Sequence, residues 1–174
     1  MRTPTLSLLL LTCVAAGCTG DTPTAVSGGG RSALASTARS GAALPLHGAL
    51  ETSHTAVNDF TTGTALIHVE GTGTATHLGR FTMVADVRLD FLTGAGPERM
   101  TLTAANRDVL FATGTGQAVP GEDGQTVNTL ESMTITGGTG RFAGATGSFV
   151  LTQVDVTPNH SSSASFDGTI TLSH

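Results

Sequence analysis

Residues 133–150 read MTITGGTGRFAGATGSFV. The first residues alternate between apolar and polar, as in a strand, and a second strand begins near Ser148. Between them lie glycines 137, 138, 140, 144 and 147, which tolerate positive φ and close backbone approach. The segment therefore predicts a wide turn between two strands. Phe142 is the one large apolar side chain within the turn, and we expect it to plug the turn against a core.

The same alternation continues outward from this turn through the chain after residue 44. The clearest strand is predicted at 79–91, with an apolar face and a charged face. Weaker strands are predicted at 44–55, 64–74, 98–104, 109–116, 127–136, 148–156 and 164–172. Eight strands with short connections and no convincing helix indicate an all-β, eight-stranded antiparallel β-barrel. A two-sheet sandwich stays open as the alternative.

The interior of this barrel is predicted to consist of the apolar residues on the inward strand faces. They are Leu46, Leu50, Ile67, Val69, Phe81, Met83, Val87, Leu89, Phe91, Leu102, Phe111, Met133, Ile135, Phe142, Phe149, Leu151, Phe166 and Ile170.

The composition excludes several classes of function. All eight basic residues of the 174-residue chain are arginine, and the formal net charge is -5. Without a basic cluster, binding to nucleic acid is not expected. Without lysine there is no phosphate-binding loop of the Walker type and no Schiff-base chemistry.

The N-terminus predicts export. Residues 1–17 have a short basic start and an apolar stretch too short to span a bilayer, as in a signal peptide. Residues 14–18, Val-Ala-Ala-Gly-Cys, resemble a bacterial lipobox, which implies acylation of Cys18 with chains such as palmitate and anchoring to a membrane. Thr19 favours the outer membrane if the envelope is Gram-negative. An ordinary signal peptide cut near Ala16, and hence a secreted protein, is the alternative.

The rest of the chain divides into two parts. Residues 18–43 are rich in small and polar residues, and we interpret them as a flexible linker after the acylated cysteine. Residues 44–174 form the predicted barrel domain.

Four segments of this domain carry a family resemblance. Residues 137–142 with Gly144 and Gly147, and residues 73–82, 111–118 and 166–170, resemble the dirigent and allene-oxide-cyclase-like barrel group, including its uncharacterised secreted bacterial members. The resemblance implies an eight-stranded antiparallel barrel with an apolar cavity, often in a homo-oligomer, and in plant members an isomerase or cyclase activity. No tyrosine role can be transferred, because the chain has no Tyr.

Glu131 is the leading candidate for a catalytic residue. It shares a predicted strand face with Val127, Met133 and Ile135, so its carboxylate would point into an apolar interior. Desolvation there would raise its pKa and suit it to general acid or base catalysis. The alternatives are a carboxylate at the barrel mouth, paired with arginine or backbone amides, and a register that turns this face outward.

Other polar candidates have a simpler interpretation. Asp86, Arg88 and Asp90 alternate along one strand face, which is either an acid, clamp and base together or a solvated row. His68 lies near Glu70 and His77 precedes the long strand, which allows proton transfer. No histidine pair has ligand spacing, so no metal site and no cofactor are predicted.

Three functions remain open on the sequence. The first is a module that binds a small apolar ligand, with Phe81, Met83, Phe111, Met133 and Phe149 as candidate ligand-binding residues. The second is an isomerase or cyclase, and the third is a filled barrel with a surface or structural role. With only seven Phe and no Trp or Tyr to fill a barrel, the composition favours a cavity, and the sequence leans away from catalysis.

Overall fold

A computed structural model describes residues 41–156 and 161–173. The described chain forms eight strands: β1 (Ala43–Asp59), β2 (Thr64–Ala75), β3 (Gly79–Asp90), β4 (Ala95–Ala104), β5 (Val109–Pro120), β6 (Thr126–Gly138), β7 (Thr146–Val156) and β8 (Ser161–Thr171). Each strand pairs antiparallel with the next, and β8 pairs with β1. The predicted eight-stranded antiparallel barrel is confirmed, and the sandwich alternative is excluded. The predicted signal peptide, Cys18 and nearly all of the linker lie outside the described residues.

Antiparallel order gives the barrel two different ends. The turns after β2, β4 and β6 lie at one end, which we call the closed end. The turns after β1, β3 and β5 lie at the other, which we call the open end. This division decides where the side chains leave space.

The closed end is filled by apolar side chains. Leu46, Leu110, Phe142 and Ile170 are fully buried there. Phe142 belongs to a short 3-10 helix, Gly140–Phe142, in the turn between β6 and β7, so the predicted plug is confirmed. Gly140 has φ 57°, and a Cβ at this position would lie 1.8 Å from the Asp108 carboxylate. Only glycine meets both conditions without strain.

Several strands are longer than the sequence predicted. β4 begins at Ala95, whereas the predicted strand began at residue 98, so β4 also includes Gly96 and Pro97. These two residues have no partners on β3, where the pairing passes from Glu98 directly to Ala95. Proline can occupy this part of the strand because no amide donor is needed on that side.

The predicted interior is largely confirmed, with two corrections. Phe91 and Phe111 were predicted to face inward, yet they are 41% and 40% exposed. Phe91 follows the last residue of β3 and lies in a turn. Phe111 lies on the outer face of β5, because its neighbours Leu110 and Ala112 are the buried ones. Ile67, Val87 and Leu89 are only partly buried, because they face the less filled open half.

Candidate functional site

The open half of the barrel contains a cavity of about 150 Å³. Residues from β1 to β7 line it, and most of them are apolar. The lining consists of His54, Ile67, Val69, Met83, Val87, Leu89, Glu98, Met100, Gly116, Ala118, Val127, Thr129, Glu131, Leu151, Gln153 and Asp155. Two of these, Glu98 and Glu131, are carboxylic acids enclosed by apolar neighbours.

A glycine of β5 leaves space for one of these acids. Glu98 on β4 is opposite Gly114, and Glu131 on β6 is opposite Gly116. A Cβ at Gly116 would lie 3.2 Å from Cγ of Glu131, which is a tight contact. A Cβ at Gly114 would instead lie 2.6 Å from the sulfur of Met133. The absence of a side chain at Gly116 therefore leaves space for Glu131 on the inner surface of β5.

Burial changes the acidity of both groups. Glu98 is 4% exposed and Glu131 is 7% exposed. Burial raises the pKa of Glu131 to about 9, and the adjacent Glu98 carboxylate contributes to the rise. Burial also raises the pKa of Glu98 to about 7, while hydrogen bonding with Glu131 opposes that shift. Near neutral pH the two carboxyl groups together therefore retain about one proton.

The pair is incompletely satisfied. The Oε2 atoms of Glu98 and of Glu131 are buried and have no hydrogen-bond partner. Within residues 41–156 and 161–173, no arginine lines the cavity, and Arg99, the neighbour of Glu98 on β4, faces outward. Buried oxygens without partners are costly and uncommon in folded proteins. Each of these oxygens retains the capacity to accept a hydrogen bond.

Polar side chains lie between this pair and the open end. His54 on β1 has its Nδ1 atom 3.5 Å from Oδ2 of Asp155 on β7, and both side chains are mostly buried. Ser162 on β8 donates its hydroxyl proton to Asp155 and accepts a hydrogen bond from Nε2 of Gln153 at 3.2 Å. Because the Ser162 hydroxyl donates to Asp155, its proton is not directed at His54 as in a serine nucleophile. This set forms a polar rim above the two glutamates.

The prediction that Glu131 faces the interior is confirmed. Glu98 was missed, although it shares a face with Met100, Leu102 and Ala104, which are all buried. That alternation was the available signal. It was overlooked because the predicted strand began at residue 98, which made Glu98 resemble a strand end.

The five predicted ligand-binding residues lie in three places. Met83 lines the cavity. Phe81, Met133 and Phe149 are buried one inward position closer to the closed end than the lining residues Met83, Glu131 and Leu151. The rings of Phe81 and Phe149 both pack on Phe166, with centroids 6.1 and 5.2 Å away. Phe111 lies on the outer surface, away from the cavity.

The row of charged residues on β3 lies outside the barrel. Asp86 is exposed and its Oδ1 atom lies 2.8 Å from Nδ1 of His68, and this hydrogen bond raises the pKa of His68. Glu70 lies 3.7 Å from Nε2 of the same ring. Asp90 accepts hydrogen bonds from the amides of the following turn, which lower its pKa. The solvated interpretation of this row is confirmed.

His77 does not reach the cavity either. It has φ 62° in the turn between β2 and β3, and its ring lies 3.1 Å from the carbonyl oxygen of Pro45. A wider depression of about 880 Å³ lies along the outside of the barrel wall. Outward-facing residues such as Leu66, Arg88 and Thr113 make up much of its lining. The interior cavity is the better candidate site, because the desolvated acids lie there.

Among the described residues, no group of three or more potential ligands is placed to hold a metal ion. The same residues contain no helix with the length and apolar character needed to cross a bilayer. No family model, no curated protein and no solved structure matches the chain.

Proposed function

We propose that this protein binds a small, largely apolar molecule inside the open half of its barrel. The observation that carries the proposal is the cavity of about 150 Å³, which remains although the closed half is filled. A dry apolar cavity of roughly this volume is large enough for benzene. Small eight-stranded barrels commonly hold one such ligand.

The open end supports this function. The turn after β1 carries Phe60, which is 82% exposed, and the turn after β3 carries Leu92, which is 94% exposed. The rings of Phe60 and Phe91 contact each other between these turns, with centroids 5.8 Å apart. An apolar ligand approaching this end meets apolar side chains before it reaches the polar rim.

The proposal includes a location. The signal peptide at residues 1–17 and the lipobox-like sequence before Cys18 favour an exported, lipid-anchored protein of the bacterial envelope, in the outer membrane if the envelope is Gram-negative. The membrane would then be a partner through the acyl chains alone. Membership in the dirigent and allene-oxide-cyclase-like group also stays a prediction, and the barrel agrees with the fold that this resemblance implies.

One observation favours a second candidate, an isomerase or cyclase. The coupled pair of Glu98 and Glu131 retains about one proton near neutral pH, so the cavity holds an acid and a base next to each other. A bound molecule could then receive a proton at one atom and lose one from another. If the Glu131→Gln variant converted the bound ligand as fast as the unaltered protein does, an isomerase or cyclase that uses Glu131 would be ruled out.

Native mass spectrometry tests the binding function. The full chain is purified gently from its own host, its native mass is recorded, and bound compounds are extracted under denaturing conditions. We expect a stoichiometric small molecule, and the same spectrum gives the number of subunits. An unliganded mass, together with no binding of added small apolar compounds, would favour the filled-barrel, structural role.

A further inference from the structure

We propose that the ligand carries a protonated amine, which Glu98 and Glu131 hold between their carboxyl groups while its apolar part lies in the cavity. This inference rests on the proposed binding function and names the class of its ligand. It begins from two buried oxygens that the described protein leaves without partners, Oε2 of Glu98 and Oε2 of Glu131.

The donor pattern of an ammonium group fits this pair. Ionised carboxylates only accept hydrogen bonds, whereas an ammonium group offers three donors and no acceptor. One such group can therefore satisfy both Oε2 atoms with charge-assisted bonds, which are shorter and stronger than neutral ones. A neutral alcohol has a single donor and satisfies one of them at most. A carboxylate ligand would place a further negative charge beside the pair.

The charges around the cavity favour the same sign of ligand. Its lining contains the acids Glu98, Glu131 and Asp155, and its one basic side chain is His54, which lies beside Asp155. β2 and β3 contribute only apolar residues, and β5 contributes Gly116 and Ala118. No cation of the cavity wall therefore competes with a ligand for the two glutamates.

The surroundings also limit the rest of the ligand. Val69, Met83, Met100 and Leu151 surround the pair, and the closed half beyond them is filled. An amine that carries one compact apolar group fits this space, whereas a polyamine would bring a second charge against apolar walls. Benzylamine is a suitable probe, because benzyl alcohol and benzoate keep its ring and change only the polar group.

Binding of an ammonium group should displace protons from the pair. The group is stabilised by ionised carboxylates, whereas the pair shares about one proton near neutral pH when the cavity is empty. Asp155 and His54 also face the cavity, from β7 and β1. Variants that replace either residue therefore distinguish protons released by Asp155 or His54 from protons released by the glutamate pair. We expect benzylamine to bind more tightly as the pH rises from 6 to 8, with net release of a proton.

The experiment is calorimetric titration of the full chain with benzylamine, benzyl alcohol and benzoate at pH 8. We expect benzylamine to bind roughly tenfold or more tightly than benzyl alcohol, as a charged hydrogen bond predicts, and benzoate to bind more weakly than either. Glu98→Gln and Glu131→Gln should each reduce this preference, because each weakens benzylamine binding more than it weakens benzyl alcohol binding. Glu70→Gln, an exposed acid on the outer wall, is the matched control and should change nothing.

The possible results distinguish failure of the amine proposal from failure of the proposed binding function. Equal binding of benzylamine and benzyl alcohol, or an amine preference that survives both glutamine variants, would overturn the amine and leave apolar binding intact. Failure of all three probes to bind would count against the binding function itself. If a variant does not fold, the unaltered protein is titrated with benzylamine in two buffers of different ionisation enthalpy, which measures the number of protons released on binding. Binding without proton release contradicts the proposal.

Discussion

Glu98 and Glu131 lie on strands β4 and β6 and meet over the inner surface of β5, opposite Gly114 and Gly116. Three neighbouring strands are needed for this arrangement, two to carry the acids and one to leave space between them. The result is a pair of carboxyl groups that share a desolvated cavity with no arginine in its lining.

This pair should make the fold less stable as the pH rises. The folded pKa of Glu131, about 9, lies above its ordinary value of 4.5, so the folded state binds more protons than the unfolded state between these values. The free energy of unfolding must therefore fall as the pH increases through this window. In the unmodified protein, we expect the free energy of unfolding, measured with denaturant, to decrease by on the order of a few kcal/mol between pH 5 and pH 9 because of Glu131. In the Glu131→Gln variant this contribution to the decrease should be absent.

The control for this prediction is Glu51→Gln, an exposed acid on β1, which should retain the slope of the unmodified protein. His68, whose pKa Asp86 raises, changes stability in the same direction. The comparison between variants, and not the slope alone, therefore assigns the effect. A Glu131→Gln variant with the same pH slope as the unmodified protein would contradict the burial argument.

A larger side chain at Gly116 tests whether this glycine provides space for Glu131. Gly116→Val places branched carbons near Cγ of Glu131, where even a Cβ is 3.2 Å away. We expect destabilisation by about 1–3 kcal/mol, as for other overpacked sites, and weaker benzylamine binding. Thr115→Val, on the outer face of the same strand, should be nearly neutral in both measurements. Equal effects of the two substitutions would show that the glycine does not provide the space.

Phe142, the plug at the closed end, should contribute strongly to the free energy of unfolding. Phe142 is fully buried, and the Arg141 guanidinium lies 4.9 Å from its ring centre. Phe142→Ala should lower the free energy of unfolding by about 3–5 kcal/mol. Phe60→Ala removes the same ring from an exposed turn and should change it by less than about 0.5 kcal/mol. Similar losses in both variants would refute the role of the plug.

The membrane anchor has a genetic test in the native host. Cys18→Ser removes the thiol that acylation requires, so the protein should move from the membrane fraction to the soluble fraction. Each buried methylene of an acyl chain contributes roughly 0.8 kcal/mol to anchoring, so the redistribution should be large. Ser27→Ala in the linker is the matched control. Unchanged membrane association of Cys18→Ser would rule out lipid anchoring.

The number of strands, their approximate positions and the turn with Phe142 were predictable from the sequence. Each depends on local information, namely alternation of apolar side chains and glycines that permit positive φ. The inward direction of Glu131 followed from the same alternation. Phe111 was placed wrongly because both faces of β5 carry apolar residues, so alternation alone did not identify the inner face.

Alternation and glycine positions therefore specify a set of strands with a core face, joined by tight turns. Three features depend on the folded barrel: the sheet closes, one half of the barrel is filled while the other is not, and Glu98 meets Glu131. These residues are distant in the chain, and strand register brings them together. The turn and the alternation of apolar residues set the register of each hairpin, and the contact between Glu98 and Glu131 depends on two successive registers, β4 with β5 and β5 with β6.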